Sequence, residues 1–400
     1  MSMSVIDLEA SVWPATARRS PAGVLTLGGI DVRDLAAEFG TPAYILDEQD
    51  FRDRCQSWRD AFAGADVYYA AKAFLCTEIA RWIADEGLGM DVCTGGELAV
   101  ASRVSFPADR LTFHGNNKSL TELERALAYG VGRVVVDSFE EIVRLAALAE
   151  RRGVRQKVLI RATPGVEAHT HEFVQTGQED QKFGFSLAAH RMVGLLAEVR
   201  DEHGLELPEL DLGGGTGIAY TSADDPMPVK EFADGLRAIV ERECAAASLA
   251  LPRIAVEPGR AISGPTTVTL YEVGTVKDLP GLRTYVSVDG GMSDNIRTAL
   301  YDARYTAVLA SRQSTADPRN VTLCGKHCES GDIVVHDVPL PGDLAPGDLV
   351  AVPASGAYHR SMASNYNHVP RPPVVGVRDG VVATLIRRET IEDLLALDVG

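Results

Sequence analysis

Positive charge is scarce in this chain: 39 Lys and Arg stand against 56 Asp and Glu in 400 residues, a net charge of −17. A surface that follows nucleic acid or an anionic membrane needs clustered cations, so neither partner is expected. Cysteine is also sparse. The six (Cys55, Cys76, Cys93, Cys244, Cys324 and Cys328) form no C-x-x-C pair and no dense framework, which argues against a disulfide scaffold. No apolar run approaches the roughly 18 residues of a membrane span. The N-terminal MSMSVIDLEASVWPATARR carries acids where a signal peptide needs an apolar stretch. What remains is 46% hydrophobic and 24% charged, too apolar for a disordered chain. The expectation is a cytoplasmic globular protein of two domains, or one large barrel with additions, with a sizeable core.

What is present is a regular alternation. From Val67 to Gly259 short β-type runs trade with helical stretches. VYYAAK (67–72), GMDVCT (89–94), LTFHG (111–115), RVVVD (133–137), KVLIRAT (157–163), ELDLGGG (209–215) and RIAVEPG (253–259) read as strands. TEIARWIADEG and SFEEIVRLAALAERRG read as amphipathic helices between the early ones. Such alternation predicts parallel strands with right-handed crossovers, in an α/β barrel or an open doubly wound sheet. After Gly259 the texture changes to TVTLYEVGTVKD, TYVSVDGG, RNVTLCGK, GDIVVHDV, GDLVAVPA and PPVVGVRDGVVATLIRRE, punctuated by Pro-Gly and Asp-Gly turns. That predicts a mostly antiparallel β domain, which the N-terminal VLTLGGIDV and PAYILDE could join. ETIEDLLALDVG reads as a closing helix.

Polar groups collect at the C-terminal ends of the barrel strands: Lys72, Asp91 with Cys93, His114, Arg161, Gly213–Gly215, and Glu257 with Arg260. In a barrel that is where an active site is built. A lysine buried there would lose basicity and suit bond formation with a carbonyl carbon, although an ion-paired loop lysine explains the position as well. Gly213-Gly214-Gly215 can cradle a phosphate on backbone N–H groups, or simply serve packing. Glu257-Pro258-Gly259-Arg260 offers a carboxylate for a pyridine nitrogen, or a local ion pair. Cys324-Gly-Lys-His327-Cys328-Glu329-Ser-Gly-Asp is incomplete as a metal set, as is His169-Thr-His171, and no metal is expected. Cys328 beside Glu329 suits a proton donor next to a substrate-binding carboxylate, with an ordinary buried thiol as the alternative. Tyr358 follows a small-residue turn. Arg297 and Tyr301 are four apart, so a helix would place them on one face, where they could bind a carboxylate together.

Taken in order along the chain, YYAAKAF, GMDVCTGGEL, HGNNKS, EDQKFGF, LDLGGG, EPGR, VDGGMSDNIRTALY, CGKHCESGD and GAYHRSMASNYN resemble the fold-type III pyridoxal-phosphate decarboxylases, and among them the diaminopimelate decarboxylases. The resemblance implies a TIM-type (β/α)8 barrel holding pyridoxal 5'-phosphate, here 49–262. It also implies a β domain, here 1–48 and 263–400, that contributes substrate and interface residues, and a homodimer with shared active sites. Carried over, Lys72 would join the cofactor covalently and Glu257 would meet its ring nitrogen. Asp91, Gly213, Gly214, Gly215, the Glu257-Pro258-Gly259-Arg260 backbone and Tyr358 would complete the cofactor site. Arg260, Arg297, Tyr301, Glu329 and Tyr358 would bind substrate. Cys328 of the partner subunit would return a proton after carbon dioxide leaves. The implied reaction is decarboxylation of meso-2,6-diaminopimelate at its D-centre to L-lysine in lysine biosynthesis. Two other readings stand beside it: a decarboxylase of another diamino acid, and a homologue without catalysis.

One piece of the pattern is missing. The family's H-x-H-x-G-S-Q segment, whose His lies on the ring face of the cofactor and whose Ser helps with its phosphate, occurs nowhere in the sequence. KFGFSL runs directly into AAHRMVGLLAEVRDEHG, one helix, and then into ELDLGGG. Pro164–Lys182 is polar, with only EFV as a strand signal, so seven barrel strands are counted where a closed barrel has eight. At roughly 31 residues per strand–helix unit, the chain is about one unit short. His171 or His190 could replace the ring-stacking His.

Overall fold

A computed structural model describes residues 8–162 and 180–400, with 180–188 described by backbone alone. Two compact units divide the chain: one takes residues up to Phe51, Ile218–Asp225 and Arg260–Gly400, the other Arg52–Gly217 and Pro226–Gly259. Following the chain, β1 (Arg18–Arg19), β2 (Leu25–Leu27) and β3 (Ile30–Asp31) make a small three-stranded sheet. Then come α1 (Val32–Phe39), β4 (Ala43–Asp47) and α2 (Glu48–Ala61).

The second unit is a run of strand–helix repeats. Its strands are β5 (Asp66–Ala70), β6 (Gly89–Val92), β7 (Leu111–Phe113), β8 (Arg133–Val136), β9 (Val158–Ile160), β10 (Glu209–Asp211) and β11 (Arg253–Val256). Between them lie α3 (Thr77–Asp85), α4 (Gly95–Arg103), α5 (Leu120–Tyr129), α6 (Phe139–Arg152), α7 (Asp180–His203) and α8 (Val229–Ala246). The helices begin and end where local chemistry dictates. Ser119 and Glu122 form a capping box at α5, and Gly130 closes it at φ 82, a left-handed position that glycine adopts without steric penalty. Ser138 and Gly153 bracket α6 in the same manner. Leu123, Ala126 and Leu127 then recur on one buried face of α5.

All pairs in this sheet are parallel, and the strand order is β10-β11-β5-β6-β7-β8-β9. The last strand returns to the first, Ala255 opposite Asp66 and Val256 opposite Val67, the curl of a barrel rather than an open doubly wound sheet. The break falls between β9 and β10, each of which lacks a second neighbour among the described residues. Among the described residues the barrel therefore has seven strands, and its break falls where the motif is missing. Burial shows the consequence. Val134, Val135 and Val136 of β8 are buried, yet Val158 and Ile160 of β9 are 47% and 68% exposed, so two strand residues forgo much of the roughly 1.5–3 kcal/mol that full burial contributes. Beyond the gap, Ala189, Val193 and Leu196 of α7 pack with Val240 and Cys244 of α8 and with Leu210 and Ile254. At the opposite end of the barrel Arg133 of β8 forks onto Glu209 of β10 at 2.5 and 2.6 Å and reaches the Tyr68 hydroxyl at 3.0 Å. This ion pair joins strands on the two sides of the gap.

The first unit continues with α9 (Arg260–Ser263), β12 (Thr267–Leu279), β13 (Arg283–Val288), α10 (Arg297–Tyr301), β14 (Val308–Leu309), β15 (Pro318–Cys324), β16 (Ile333–Pro341) and β17 (Leu349–Val352). It closes with β18 (Val374–Arg378), β19 (Val381–Ile386) and α11 (Ile391–Leu395). The long β12 organises the sheet, pairing antiparallel with β13, β17 and β4. Only β13–β15 and β4–β18 are parallel among its pairs, so the domain is mostly antiparallel. PAYILDE joins this sheet as β4; VLTLGGIDV forms its own small sheet with β1 instead. The core under it includes Val24, Leu25, Val32, Ile45, Val268, Leu270, Ala351 and Val375. No helix among the described residues is long and apolar enough to cross a membrane.

Candidate active site

At the barrel mouth, four acids and bases from different strands converge. His114, just past β7, places Nε2 2.7 Å from Glu257 Oε1 and 3.8 Å from Asp91 Oδ1. Its Nδ1 meets Arg161 Nη2 at 3.0 Å, and Arg161 Nε pairs with Asp137 at 3.1 Å. Asp211, the last residue of β10, accepts from the Gly213 amide at 2.8 Å. Burial pushes the Asp91 and Asp211 carboxyls up to about 7 and raises Glu257 as well, against the pull of nearby Lys72 on Asp91 and Glu257. Burial lowers His114. Asp91 Oδ1 and Asp211 Oδ2 are buried without a hydrogen-bond partner among the described residues, while Glu257 Oε1 faces His114 Nε2. A desolvated set of acceptors like this seeks a proton-bearing or cationic group. Asp91, His114 and Glu257 also have the spacing of a metal set, their ligand atoms all within 4.8 Å.

Two lysines lie at the strand ends, and their surroundings separate them. Lys118 is buried and donates to the carbonyls of Gly115 at 2.5 Å and Val135 at 2.7 Å and to Glu141 at 3.2 Å, so its three N–H groups tie β7 and β8 together. Lys72 has no hydrogen bond or ion pair among the described residues and faces the acid cluster as a free amine. It is exposed, so the condition of burial is not met, and no ion pair holds it among the described residues. Cys93 is a poor nucleophile, its thiol pushed up to about 12 by burial and then by Glu97 and Asp91.

The glycine turn after β10 is shaped by close approach. A Cβ on Gly214 would collide with the Glu257 carbonyl oxygen, and Gly213 and Gly215 hold φ of 71° and 113°. Glu257 N donates to the Gly213 carbonyl at 2.8 Å, and Ala70 N to Pro258 at 3.1 Å. The two candidate phosphate segments are thereby bound to each other and to β5. A side chain on Gly259 would press on Ala70 and Ala73.

In the other unit, Arg260 lies over the Tyr358 ring, 5.5 Å from its centroid. Tyr358 itself has φ 64, an uncommon conformation for an aromatic residue. The loop is held by Ser355 N on Thr267 and Gly356 N on Gly264, both at 3.0 Å. Arg297 and Tyr301 do share the short α10, but Arg297 is 2% exposed and Tyr301 42%. The CGKHCESGD loop is anchored through Asp332, which accepts from Met292 N at 2.6 Å and His327 N at 2.7 Å. His327 faces Ser293 Oγ at 2.8 Å and Asn367 at 3.2 Å, and Cys324 lies beside Ser287. Cys328 and Glu329 stand exposed at the loop tip, so Cys328 is not an ordinary buried thiol.

Sequence reasoning missed Asp211, Tyr220, Tyr305 and His359. Only an acid ahead of the glycine triplet signalled the first; the others sit in runs without a motif. His190 is no ring-stacking substitute: it is on α7, paired with Glu243 of α8 at 2.6 Å. His169, His171 and the EFV run lie outside the described residues.

The model of the pyridoxal-dependent decarboxylase family, pyridoxal binding domain, matches residues 48–200 and 185–264. The chain is 52% identical to the diaminopimelate decarboxylase of Mycobacterium tuberculosis (strain ATCC 25618 / H37Rv) over 443 aligned positions, covering 99% of each. It is 42% identical to that of Bacillus subtilis (strain 168), covering 96% and 97%. The crystal structure of diaminopimelate decarboxylase from M. jannaschii in co-complex with L-lysine matches with a TM-score of 0.89 at 26% identity, over 97% of this chain and 98% of that one. The Helicobacter pylori diaminopimelate decarboxylase complexed with L-lysine gives 0.81 at 25%, over 92% and 99%. The chain belongs to the diaminopimelate decarboxylase family.

The 443 positions aligned with the M. tuberculosis relative, against 400 residues here, leave at least 43 of them as gaps in this chain. The family model matches in two pieces that overlap at 185–200, so the family pattern is interrupted beside the break in the sheet. The residues that remain fit the family's cofactor. Glu257 and Asp91 are buried carboxylates that could face a protonated ring nitrogen, Lys72 has no partner among the described residues, and Gly214 has no room for a Cβ.

Proposed function

We propose that this diaminopimelate decarboxylase family member, with pyridoxal 5'-phosphate held in the barrel spanning 49–262, converts meso-2,6-diaminopimelate to L-lysine and carbon dioxide. The observation that carries the reading is the convergence of Lys72, which has no partner among the described residues, on the buried carboxylates of Glu257 and Asp91. Bound pyridoxal phosphate supplies an electron sink for the pair left when carbon dioxide departs. Lys72 would hold the cofactor covalently, Glu257 and Asp91 would meet its ring nitrogen, and Gly213, Gly214, Gly215 and the Pro258-Gly259-Arg260 backbone would take its phosphate with Tyr358. His114 stands behind Glu257 and keeps that carboxylate oriented. A substrate with two carboxylates and two amines needs guanidinium groups for the carboxylate that stays and an acid for the distal ammonium. Arg260, Arg297 and Tyr301 serve the first need, Glu329 the second, with Tyr358 closing the site.

The exposed Cys328 serves a second copy: in a homodimer it returns the proton to the carbon that lost carbon dioxide, while the barrel of the same chain receives Cys328 of the partner subunit. The setting is lysine biosynthesis in the cytoplasm. Purified protein loaded with pyridoxal phosphate is mixed with meso-diaminopimelate, and L-lysine and carbon dioxide are measured. Release of both in equal amounts is expected. Cofactor bound at full occupancy with no lysine formed would overturn the reading.

A further inference from the structure

Arg297 is 2% exposed, yet no carboxylate pairs with it among the described residues. Its surroundings are built and neutral. Nη1 donates to the Tyr220 hydroxyl at 2.8 Å and to the Tyr305 hydroxyl at 2.6 Å. The guanidinium carbon lies 4.9 Å from the Tyr220 ring centroid and 5.9 Å from that of Tyr305. The two rings meet edge to face at 5.2 Å, and His359 stands edge-on to Tyr305 at 5.4 Å. All three are buried, with 6%, 5% and 1% exposure. His359 Nδ1 donates to the Ala357 carbonyl at 3.0 Å, and its Nε2 has no partner among the described residues. Burial, and then the Arg297 charge, push this imidazole down to about 3, so it is uncharged at neutral pH.

A guanidinium taken out of water without a counter-ion is costly. The two phenol oxygens and the Tyr220 face relieve part of that cost. They supply no negative charge. An Asp or Glu in place of either tyrosine would neutralise Arg297 and leave nothing to attract a second carboxylate. Among the described residues Nη2 and Nε have no hydrogen-bond partner, so the edge of the fork remains for a bidentate acceptor.

We infer that Tyr220, Tyr305 and His359 form a neutral cage that positions Arg297 for the substrate carboxylate that is not lost, and so select dicarboxylate over monocarboxylate amino acids. The inference rests on the proposed reaction only in naming diaminopimelate as that dicarboxylate. The cage residues are positioning residues, because they act through Arg297.

The test uses the pyridoxal-phosphate-loaded enzyme and two probes, pimelate and hexanoate, which differ by one carboxylate and carry no amine. In calorimetric titration the wild type binds pimelate more tightly than hexanoate. Tyr305→Phe and Tyr220→Phe should weaken pimelate roughly tenfold each, the scale of one hydrogen bond to a charged group, and leave hexanoate unchanged. In turnover of meso-diaminopimelate the same variants should raise KM by a similar factor, with kcat reduced far less. Thermal melts confirm folding, and Tyr220→Phe, which keeps the ring beneath the cation, carries the test if Tyr305→Phe unfolds. Unchanged pimelate binding in a folded variant, or a fall in kcat at constant KM, overturns the cage. A wild type that selects pimelate but releases no lysine retains the cage and defeats the proposed reaction instead.

Discussion

A carboxyl group buried away from solvent resists ionisation, and this is the position of Asp91 and Asp211 at the barrel mouth. Folding raises both from an ordinary 3.8 to about 7. Between those values the native state holds protons that the unfolded chain releases. Their contribution to stability is therefore complete below about pH 4 and is lost as pH rises through about 7. Asp294, buried under Tyr271 and also raised to about 7, acts in the same sense. The cofactor-free protein should accordingly have a higher urea midpoint at pH 5 than its carboxylate cluster permits at pH 8. Asp91→Asn removes one of these groups, so at pH 8 it should stabilise the cofactor-free protein by about 1–3 kcal/mol. Equal midpoints for variant and wild type at pH 8 would contradict that strain. For the reaction itself, Lys72→Ala should abolish the absorbance band of covalently held cofactor, and a retained band would assign the linkage to another lysine. Lys118→Ala should instead cost stability, because Lys118 is committed to two carbonyls and Glu141.

At the scale of elements the decisive feature is the gap between β9 and β10. Exposed strand edges invite pairing with other chains, and β9 adds the uncovered Val158 and Ile160. What spans the gap at the far end of the barrel is the ion pair between Arg133 and Glu209. The Arg133 hydrogen bonds hold the Glu209 carboxyl below the usual range. A bidentate, half-buried pair is worth more than a surface salt bridge. Arg133→Met and Glu209→Gln should each lower stability by about 1–3 kcal/mol in urea denaturation. The double variant should lose less than the two singles combined, and strict additivity would show that the pair does not couple the strands. The seven strands themselves were legible as β-branched runs, because parallel strands covered on both faces need continuous apolar sequence. The exposure of β9 was not, since the same kind of run is buried in β8.

For the whole molecule, the proposed dimer makes a quantitative prediction. In a shared active site Lys72 of one chain works with Cys328 of the partner subunit. Mixing equal amounts of Lys72→Ala and Cys328→Ala chains after dissociation should restore about a quarter of wild-type activity: half the dimers are mixed, and each of those has one intact site. No recovery would mean that both residues act within one chain, or that no dimer forms. Cofactor binding should also raise the melting temperature. At a hundredfold excess over Kd the gain is about 2.7 kcal/mol, and it should be larger at pH 8, where the emptied carboxylate cluster is most strained.

The sequence alone determined the fold class, the family and the absence of the family's H-x-H-x-G-S-Q motif. These rest on local chemistry: apolar runs make strands, Ser and Gly bracket helices, and a lost motif cannot be supplied by neighbours. It also singled out Lys72 and Glu257, because both sit at strand ends that the barrel must bring together. It did not weigh Lys118, which packing alone shows to be already surrounded by acceptors. Nor did it show that Arg297 lacks a counter-ion. Tyr220 lies 77 residues away in sequence from Arg297, and a partner at that distance is chosen by the fold. Whether a charge is paired, stacked or left open depends on every element packed around it, which no local pattern of residues records.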